Sequence, residues 1–370
     1  MKHWVLVLLL SFSIVAVAQQ TITQNITVDG IQREFIIYIP AIYSGSESVP
    51  LILNFHGYTS NATEQMWYGD FRGIADTANF IVVHPQGTVD NAGYTHFNVG
   101  LGLSTVDDIA YTEAVIDYMK LNYAINENRI YSTGMSNGGY MSYQLACQIS
   151  DQIAAIASVT GSMSTVVYNN CNCSGPMPVM EIHGTEDATV PYDGQGIAHS
   201  IPEVIDYWKT QNSAVQNPDS IVIPDTNTGD GSTAVHYIYT SDVTFANTEL
   251  IKVTGGGHTW PGSVFGGAGT NQDFKANLKI WEFFSRYDKN GVINKVPQVK
   301  SVAFEIFPNP ASQILKVSGA KEKAYQIFNS LGQEVLSGEL TDNAHIDISA
   351  LNSGVYWLQI DETSVKFVKD

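Results

Sequence analysis

The chain has 370 residues, of which 44% are apolar and 15% charged, and its formal net charge is −18. This composition excludes a disordered chain, a coiled coil and a collagen-like fibre. The acidic charge repels phosphate backbones and anionic membranes, which argues against a nucleic-acid binder.

The first 18 residues have the pattern of a secretory signal peptide. A short basic start precedes an almost continuous apolar run, Trp4–Val17, and Ala16-Val17-Ala18 fits a cleavage site with small residues. The alternative is a membrane anchor, but the run is short for a bilayer. No later segment holds ~18 consecutive apolar residues. We therefore predict a secreted protein that starts near Gln19, with no membrane span in the mature chain.

After this segment the sequence predicts a β-hairpin and then short apolar strands that alternate with helices. The hairpin is Thr21–Val28 and Gln32–Ile39, closed by Asp29-Gly30. Further strands are predicted at Pro50–Phe55, Phe80–His84, Arg129–Thr133, Ile153–Val159, Val179–His183 and Glu249–Val253. Helices are predicted at Thr63–Ala78, Ile109–Leu121, Gly138–Ile149, Ile201–Thr210 and Asp273–Arg286. This alternation predicts an α/β fold with a mostly parallel central sheet covered on both faces.

A helix start signal precedes the helix Ile109–Leu121. Ser104 and Thr105, followed by Asp107 and Asp108, have the pattern of a capping box. We therefore expect the helix to be capped from within this segment.

The composition changes near residue 290. The sequence predicts a catalytic domain at 19–290, a turn-rich linker at 291–300 and a tail at 301–370. In the tail, short alternating runs are separated by turns such as Leu331-Gly332, which predicts a small all-β sandwich domain. Its strands are predicted at Ala303–Phe307, Ile314–Val317, Ala324–Asn329, Glu334–Leu340, His345–Ile348, Val355–Ile360 and Val365–Val368.

The three cysteines are Cys147, Cys171 and Cys173. They are too few for a disulfide scaffold, and a single C-x-C pair lacks the second pair that a tetrahedral zinc site needs. Because the compartment is oxidising, we expect one disulfide from Cys147 to either Cys171 or Cys173. No metal and no cofactor are predicted.

The segment Gly134–Gly138 contains a G-x-S-x-G pattern between a predicted strand and a predicted helix. This context is that of a nucleophile elbow, in which a tight turn lifts the serine hydroxyl out of the sheet. The alternative is an ordinary glycine-rich turn. We predict Ser136 as the nucleophile, and the backbone N–H of Asn137 as one donor of an oxyanion hole. The second donor is expected from the loop after the strand Pro50–Phe55, at the N–H of Tyr58.

An elbow serine is followed in the chain by an acid and then by a histidine base. Asp187 stands just after the predicted strand Val179–His183 and is predicted as the acid, with Glu186 and Asp193 as rivals. His258 follows three glycines after the last predicted strand and is predicted as the base. Trp260 and Trp67 are further predicted to line the substrate pocket, with ordinary core packing as the alternative.

Four segments in order resemble the polyhydroxybutyrate depolymerase and feruloyl esterase group of α/β-hydrolases, which includes acetyl-xylan esterases. They are His56-Gly57, Arg129–Gly139, His183–Tyr192 and Gly255–Gly262. The resemblance covers roughly residues 30–290. It implies an α/β-hydrolase fold, the triad of Ser136, Asp187 and His258, and Tyr58 at the second oxyanion position. Many polymer depolymerases of this group carry Cys at the position of Tyr58.

The tail resembles the C-terminal sorting domain of the type IX secretion system. The segments that carry this resemblance are Phe307–Ala311, Tyr325–Val335 and Ile348–Tyr356. It implies the type IX machinery as a partner, and an extracellular or cell-surface location in a Gram-negative bacterium. A carbohydrate-binding β-sandwich is the alternative, but the tail holds a single tryptophan, Trp357, as a platform for a sugar.

Together these features predict a secreted serine esterase that acts through a Ser-His-Asp triad and an acyl-enzyme. Its predicted substrates are plant polysaccharide esters of the feruloyl or acetyl-xylan type. The main alternative is an extracellular polyhydroxybutyrate depolymerase. A serine peptidase and a non-catalytic surface binding protein are the remaining hypotheses.

Overall fold

The structure is a computed structural model that describes residues 19–267, 269–293, 305–318, 323–329, 333–340, 345–360 and 363–370. The predicted signal peptide at 1–18 and residues 294–300 of the predicted linker lie outside the described residues. The chain divides into two compact units between Asn294 and Lys295. Within the described residues, no helix is both long and apolar enough to cross a bilayer.

The first unit consists of strands and helices in alternation. Its strands are β1 (Gln20–Val28), β2 (Ile31–Ile39), β3 (Val49–Phe55), β4 (Ile81–Pro85), β5 (Thr88–Val89), β6 (Thr95–His96), β7 (Ile125–Met135), β8 (Ala155–Val159), β9 (Val179–Gly184), β10 (Asp219–Ile223), β11 (Thr233–Tyr239), β12 (Thr248–Thr254), β13 (Tyr287–Asp288) and β14 (Gly291–Val292). Its helices are α1 (Ala62–Tyr68), α2 (Arg72–Ala78), α3 (Asp108–Asn122), α4 (Asn137–Gln148), α5 (Thr165–Asn169), α6 (Ile201–Gln211) and α7 (Ala276–Phe284).

One ten-stranded sheet forms the frame of this unit, in the order β1-β2-β4-β3-β7-β8-β9-β12-β11-β10. The strands from β4 to β12 in this order pair in parallel. The two strands at each edge join by antiparallel pairing. The mostly parallel sheet and the antiparallel hairpin at its start are therefore confirmed.

The sheet is covered on both faces because its central strands are apolar on both sides. In β3, Leu51, Leu53 and Phe55 pack into a core that α3, α4 and α6 cover. The alternate residue Ile52 belongs to a second core, to which α2 and α7 contribute. Each fully buried side chain of this kind contributes about 1.5–3 kcal/mol of transfer free energy.

Two local predictions differ from the structure. The predicted helix Thr63–Ala78 is divided into α1 and α2 at Gly69, where a Cβ would lie 3.0 Å from the Trp260 ring. The cap of α3 is the Asp107 carboxylate, which accepts from the N–H of Ala110 at 2.9 Å. The cap thus comes from one of the four residues of the predicted capping box, but the box itself is not formed, because Ser104 hydrogen-bonds to an imidazole in β6.

The second unit has two antiparallel sheets around one apolar core, so the predicted small all-β tail is confirmed. Three strands form one sheet and four form the other. Alternate residues of the strand Gly354–Ile360, namely Tyr356, Leu358 and Ile360, are buried in this core. The strands are β15 (Glu305–Phe307), β16 (Ile314–Ser318), β17 (Ala324–Asn329), β18 (Glu334–Glu339), β19 (His345–Asp347), β20 (Gly354–Ile360) and β21 (Thr363–Lys369).

A disulfide joins Cys147 at the end of α4 to Cys171, which decides between the two predicted pairings. Cys173 is a free thiol, and burial raises its pKa to about 11. A high thiol pKa leaves little reactive thiolate, so this cysteine is not a nucleophile candidate.

Candidate active site

Ser136 stands at the turn between β7 and α4 with φ 54° and ψ −118°. A positive φ is strained for a residue with a side chain, at a cost of about 1–3 kcal/mol. The N–H of Ser136 donates to the Val159 carbonyl of β8 at 2.8 Å, which holds the turn in place. The serine is only half-buried and lies at the end of the parallel strands, where its hydroxyl is accessible.

The glycines of the G-x-S-x-G pattern are required by close backbone packing. A Cβ at Gly138 would lie 2.2 Å from the Phe55 carbonyl oxygen, and one at Gly134 would lie 2.6 Å from the same atom. Both distances are far below van der Waals contact. The first turn of α4 can therefore approach the end of β3 only because both positions lack a side chain.

Asp187 and His258 meet although 71 positions separate them in the chain. The Nδ1–H of His258 donates to Asp187 Oδ2 at 2.7 Å. Asp187 Oδ1 accepts from the N–H groups of Thr189 and Val190 at 2.9 and 2.8 Å. Both oxygens of this buried carboxylate are thus hydrogen-bonded, and its orientation is fixed.

The same hydrogen bonds set the charge of Asp187. Burial acts to raise the pKa of this carboxyl, but the hydrogen bonds from His258 and Val190 and the nearby imidazoles of His258 and His183 together outweigh it, so the pKa lies below its ordinary value. The rival carboxylates Glu186 and Asp193 are exposed. Only one of the three predicted acid candidates is therefore placed against the imidazole.

Ser136 and His258 line one cavity of about 570 Å³. Because Nδ1 of the imidazole is occupied by Asp187, its Nε2 is the nitrogen left for a proton transfer. The cavity wall is mostly apolar, with Met135 and the ring of Trp67 among its members. An uncharged ligand with an apolar part fits such a wall.

The two predicted oxyanion donors border this site. Tyr58 lines the cavity, and Asn137 is the first residue of α4. Within residues 19–293 as described, neither N–H has a hydrogen-bond acceptor, as expected for donors at a helix start and an open turn. The Asn137 side chain is fixed elsewhere, since it both accepts from and donates to the backbone of Phe97.

His56 fixes the turn that carries Tyr58. Its Nδ1–H donates to the Gly57 carbonyl at 2.7 Å, and its Nε2 accepts from the N–H of Gly87 at 2.9 Å. Burial lowers the pKa of His56 to about 4, so the ring is neutral at physiological pH. Its structural role agrees with the position of the His-Gly pattern directly before the turn.

The two predicted pocket tryptophans occupy different environments. Trp67 is half exposed and lines the cavity of Ser136. The guanidinium of Arg72 lies over its ring, 3.9 Å from the centroid. Trp260 is buried in the second core, edge-to-face with Phe71. It lines an adjoining cavity of about 610 Å³ and not that of Ser136. A role of Trp260 in the substrate pocket stays a prediction, and it would act from this adjoining cavity.

Some residues at the site were not singled out from the sequence. Tyr68 lines the cavity and accepts from the N–H of Trp260 at 3.2 Å, and Phe265 lies at the mouth with its ring largely exposed. Both lie in segments without a recognisable motif, and their role depends on loop geometry. Within the described ranges, no group of three or more His, Cys, Asp and Glu side chains is arranged to hold a metal ion.

Comparison with known proteins gives two family matches. Residues 104–212, which contain Ser136 and Asp187, match the family described as Phospholipase/Carboxylesterase. Residues 305–370 match the Secretion system C-terminal sorting domain. The tail is therefore a sorting domain, and the larger unit carries a carboxylesterase-type segment.

Curated relatives and a solved structure agree with this assignment. The chain is 30% identical over 168 residues to the bifunctional acetylxylan esterase/xylanase XynS20E of Neocallimastix patriciarum, covering 44% of this chain and 22% of the relative. It is 28% identical over 164 residues to feruloyl esterase B of Piromyces equi, which covers 44% of this chain and 30% of that relative. The chain thus spans less than a third of either relative. The acetyl xylan esterase from Aspergillus awamori superposes with a TM-score of 0.53 at 15% identity, covering 71% of this chain and 98% of that one, which shows a shared α/β-hydrolase fold.

Proposed function

We propose that this protein is a secreted serine hydrolase of carboxylic esters. Ser136 is the nucleophile, His258 the general base and Asp187 the acid that orients it. The main support for the proposal is the 2.7 Å hydrogen bond between His258 and Asp187. The imidazole of His258 also shares a cavity with Ser136, the serine with a strained backbone at the elbow.

In the first half of the reaction, Ser136 Oγ attacks the ester carbonyl while His258 Nε2 takes its proton. Asp187 keeps the imidazole proton on Nδ1 and stabilises the imidazolium that forms. The N–H groups of Tyr58 and Asn137 stabilise the oxyanion, and removing one such donor typically raises the barrier by about 2.7–4 kcal/mol.

The first half ends when His258 gives this proton to the leaving alcohol, the ester C–O bond breaks and an acyl-enzyme remains. Water, deprotonated by the same imidazole, then releases the acid and restores the serine. Each step balances with water as the sole co-reactant, so this chemistry calls for neither a metal nor a cofactor.

Plant polysaccharide esters of the feruloyl or acetyl-xylan type are the proposed substrates. Support comes from relatives named as acetylxylan and feruloyl esterases, and from a cavity in which the exposed rings of Tyr58 and Trp67 can stack on an aryl acyl group. The sorting domain at residues 305–370 supports export by the type IX machinery to the outside or the surface of a Gram-negative cell.

The test compares the purified protein with its Ser136→Ala variant on four substrates: feruloylated and acetylated xylan fragments, a polyhydroxybutyrate suspension and a chromogenic peptide. We expect release of ferulate or acetate by the wild type, near-background rates in the variant, and loss of covalent labelling by a serine-directed phosphonate. Clearing of the polymer without xylan deesterification would establish the depolymerase alternative. Peptide cleavage, or no turnover at all, would refute an esterase.

A further inference from the structure

A second carboxylate–imidazole pair lies next to Asp187 in the interior. His183 Nδ1 and Glu181 Oε1 are 2.8 Å apart, and both side chains are fully buried. The Nε2–H of His183 donates to the Val190 carbonyl at 2.9 Å, and the same nitrogen lies 3.4 Å from Asp187 Oδ2. The Asp187 oxygen that holds His258 therefore also faces a second imidazole.

This pair fixes the loop on which the acid stands. Val190 donates its N–H to Asp187 Oδ1 at 2.8 Å, and its carbonyl accepts from His183. One residue thus connects the second imidazole to the acid through both of its backbone groups. Movement of the ring would shift the peptide that orients the carboxylate.

The surroundings favour a proton on His183. Burial lowers the pKa of His183, but the hydrogen bond and charge of Glu181 raise it by more, so it lies above its ordinary value. Both ring nitrogens of His183 face oxygen atoms, Glu181 Oε1 and the Val190 carbonyl, so the pair holds one proton more than a neutral imidazole beside a carboxylate. Burial also raises the pKa of Glu181. The Tyr143 hydroxyl donates to Glu181 Oε2 at 2.8 Å and Asp187 faces the imidazole, and both contacts favour the ion pair with the proton on His183.

Other titratable groups near the pair do not compete for this proton. Tyr140 and Tyr143 approach from α4, and Tyr192 comes from the loop after β9. Burial is the main cause that raises the pKa of each of these phenols, so all three are neutral near pH 7. Lys252 pairs in register with His183 across β12 and β9, and its ammonium lies 5.2 Å from the Tyr192 ring centroid.

We propose that Glu181 and His183 form a positioning pair, whose shared proton places a buried imidazolium beside Asp187. This inference rests on the proposed esterase function, because it concerns the same triad. Neither residue lines the cavity of Ser136, so both act through Asp187. Their positive end lies beside Asp187, favours its ionised form and opposes further positive charge in the triad.

The test is the pH dependence of kcat/KM for a soluble chromogenic acetyl ester, measured on the full chain and on Glu181→Gln. The amide keeps the size of the side chain but cannot stabilise an imidazolium, so the positive charge beside Asp187 is lost. The positive charge lies nearer the triad than the negative charge of Glu181, and both are lost together. We therefore expect the acidic limb of the profile to move up, but by less than the ~1 pH unit that one nearby charge would cause.

Glu249→Gln is the matched control. Glu249 is also buried and accepts from an imidazole, that of His236, at 2.8 Å, but it makes no contact with Asp187. Its variant is expected to lose stability and to keep the acidic limb where the wild type has it. Tyr143→Phe removes one donor from Glu181 and should move the limb in the same direction by a smaller amount, which provides a milder second variant.

The positioning pair would be overturned if the acidic limb stayed in place in both Glu181→Gln and Tyr143→Phe and their kcat/KM fell no further than that of Glu249→Gln. If Glu181→Gln does not fold, the limb of Tyr143→Phe alone decides. A wild-type protein that hydrolyses no ester would overturn the proposed function together with the pair. An active wild type with unmoved limbs overturns only the pair.

Discussion

Replacing Asp187 by asparagine tests the assignment of the acid most directly. The amide oxygen can still accept from the N–H groups of Thr189 and Val190, so the loop keeps its hydrogen bonds. The amide nitrogen then replaces Oδ2 and donates to His258 Nδ1, which now donates to Asp187 at 2.7 Å. The proton of the neutral imidazole consequently moves to Nε2, the atom that has to receive the proton of Ser136.

We expect kcat to fall about 10⁴-fold, which corresponds to about 5.5 kcal/mol of barrier. The change in KM should be small, because Asp187 does not line the cavity. Stability should be lower than in the wild type at pH 7. The pKa of Asp187 is depressed in the folded state, so its contribution is present above the unfolded value and is lost as the pH falls. The two proteins should therefore converge in stability on acidification.

The assay is steady-state hydrolysis of a soluble chromogenic ester, combined with thermal unfolding at several pH values. Glu186→Gln is the matched control, because Glu186 is the adjacent residue and is exposed. Its kcat should stay within about a factor of two, since exposed charges contribute little. A severe loss in Glu186→Gln together with a mild one in Asp187→Asn would refute the assignment.

Three further outcomes are expected. Gly138→Ala should abolish folding or activity, because its Cβ would lie 2.2 Å from a carbonyl oxygen of β3. Its control is Gly73→Ala in α2, whose Cβ meets nothing within 4 Å and which should stabilise the protein by about 0.5–1 kcal/mol in thermal unfolding. The imidazole and guanidinium partners of Glu249 lower its pKa against the effect of burial, so part of the stability that the wild type loses on acidification comes from this carboxylate. Glu249→Gln should lack that part, and a free energy of unfolding that falls with pH in parallel with the wild type would contradict this. Opening the disulfide by Cys147→Ala, which frees Cys171 across a separation of 24 residues, should cost about 3 kcal/mol in denaturant unfolding, and an unchanged free energy of unfolding would contradict this.

The parallel part of the sheet was predictable because its strands contain short runs of mostly buried, mostly apolar residues. Buried runs such as Leu51–Phe55 need no alternation, and turn signals bound them in the sequence. The edge strands β10 and β11 were not predicted. In β10 the side chains are exposed except for Ile223, so the strand has no periodic apolar pattern, and its pairing with β11 defines it instead. Whether two such segments pair depends on the fold around them, so the residues of β10 alone do not predict a strand.

The predicted elbow and the predicted pocket wall depend on different kinds of information. Gly134 and Gly138 flank Ser136 because the backbone there approaches the end of β3 more closely than any side chain allows. Because both glycines stand within two residues of the serine, a short sequence pattern reveals this requirement. Trp260 follows His258 by two positions, yet its ring turns into the core while the imidazole faces the cavity. Which way each side chain turns depends on the conformation of the loop and on the space that Gly69 leaves beside the indole. Residue order therefore indicates the catalytic candidates, whereas the specificity surface is set by contacts between segments far apart in the chain.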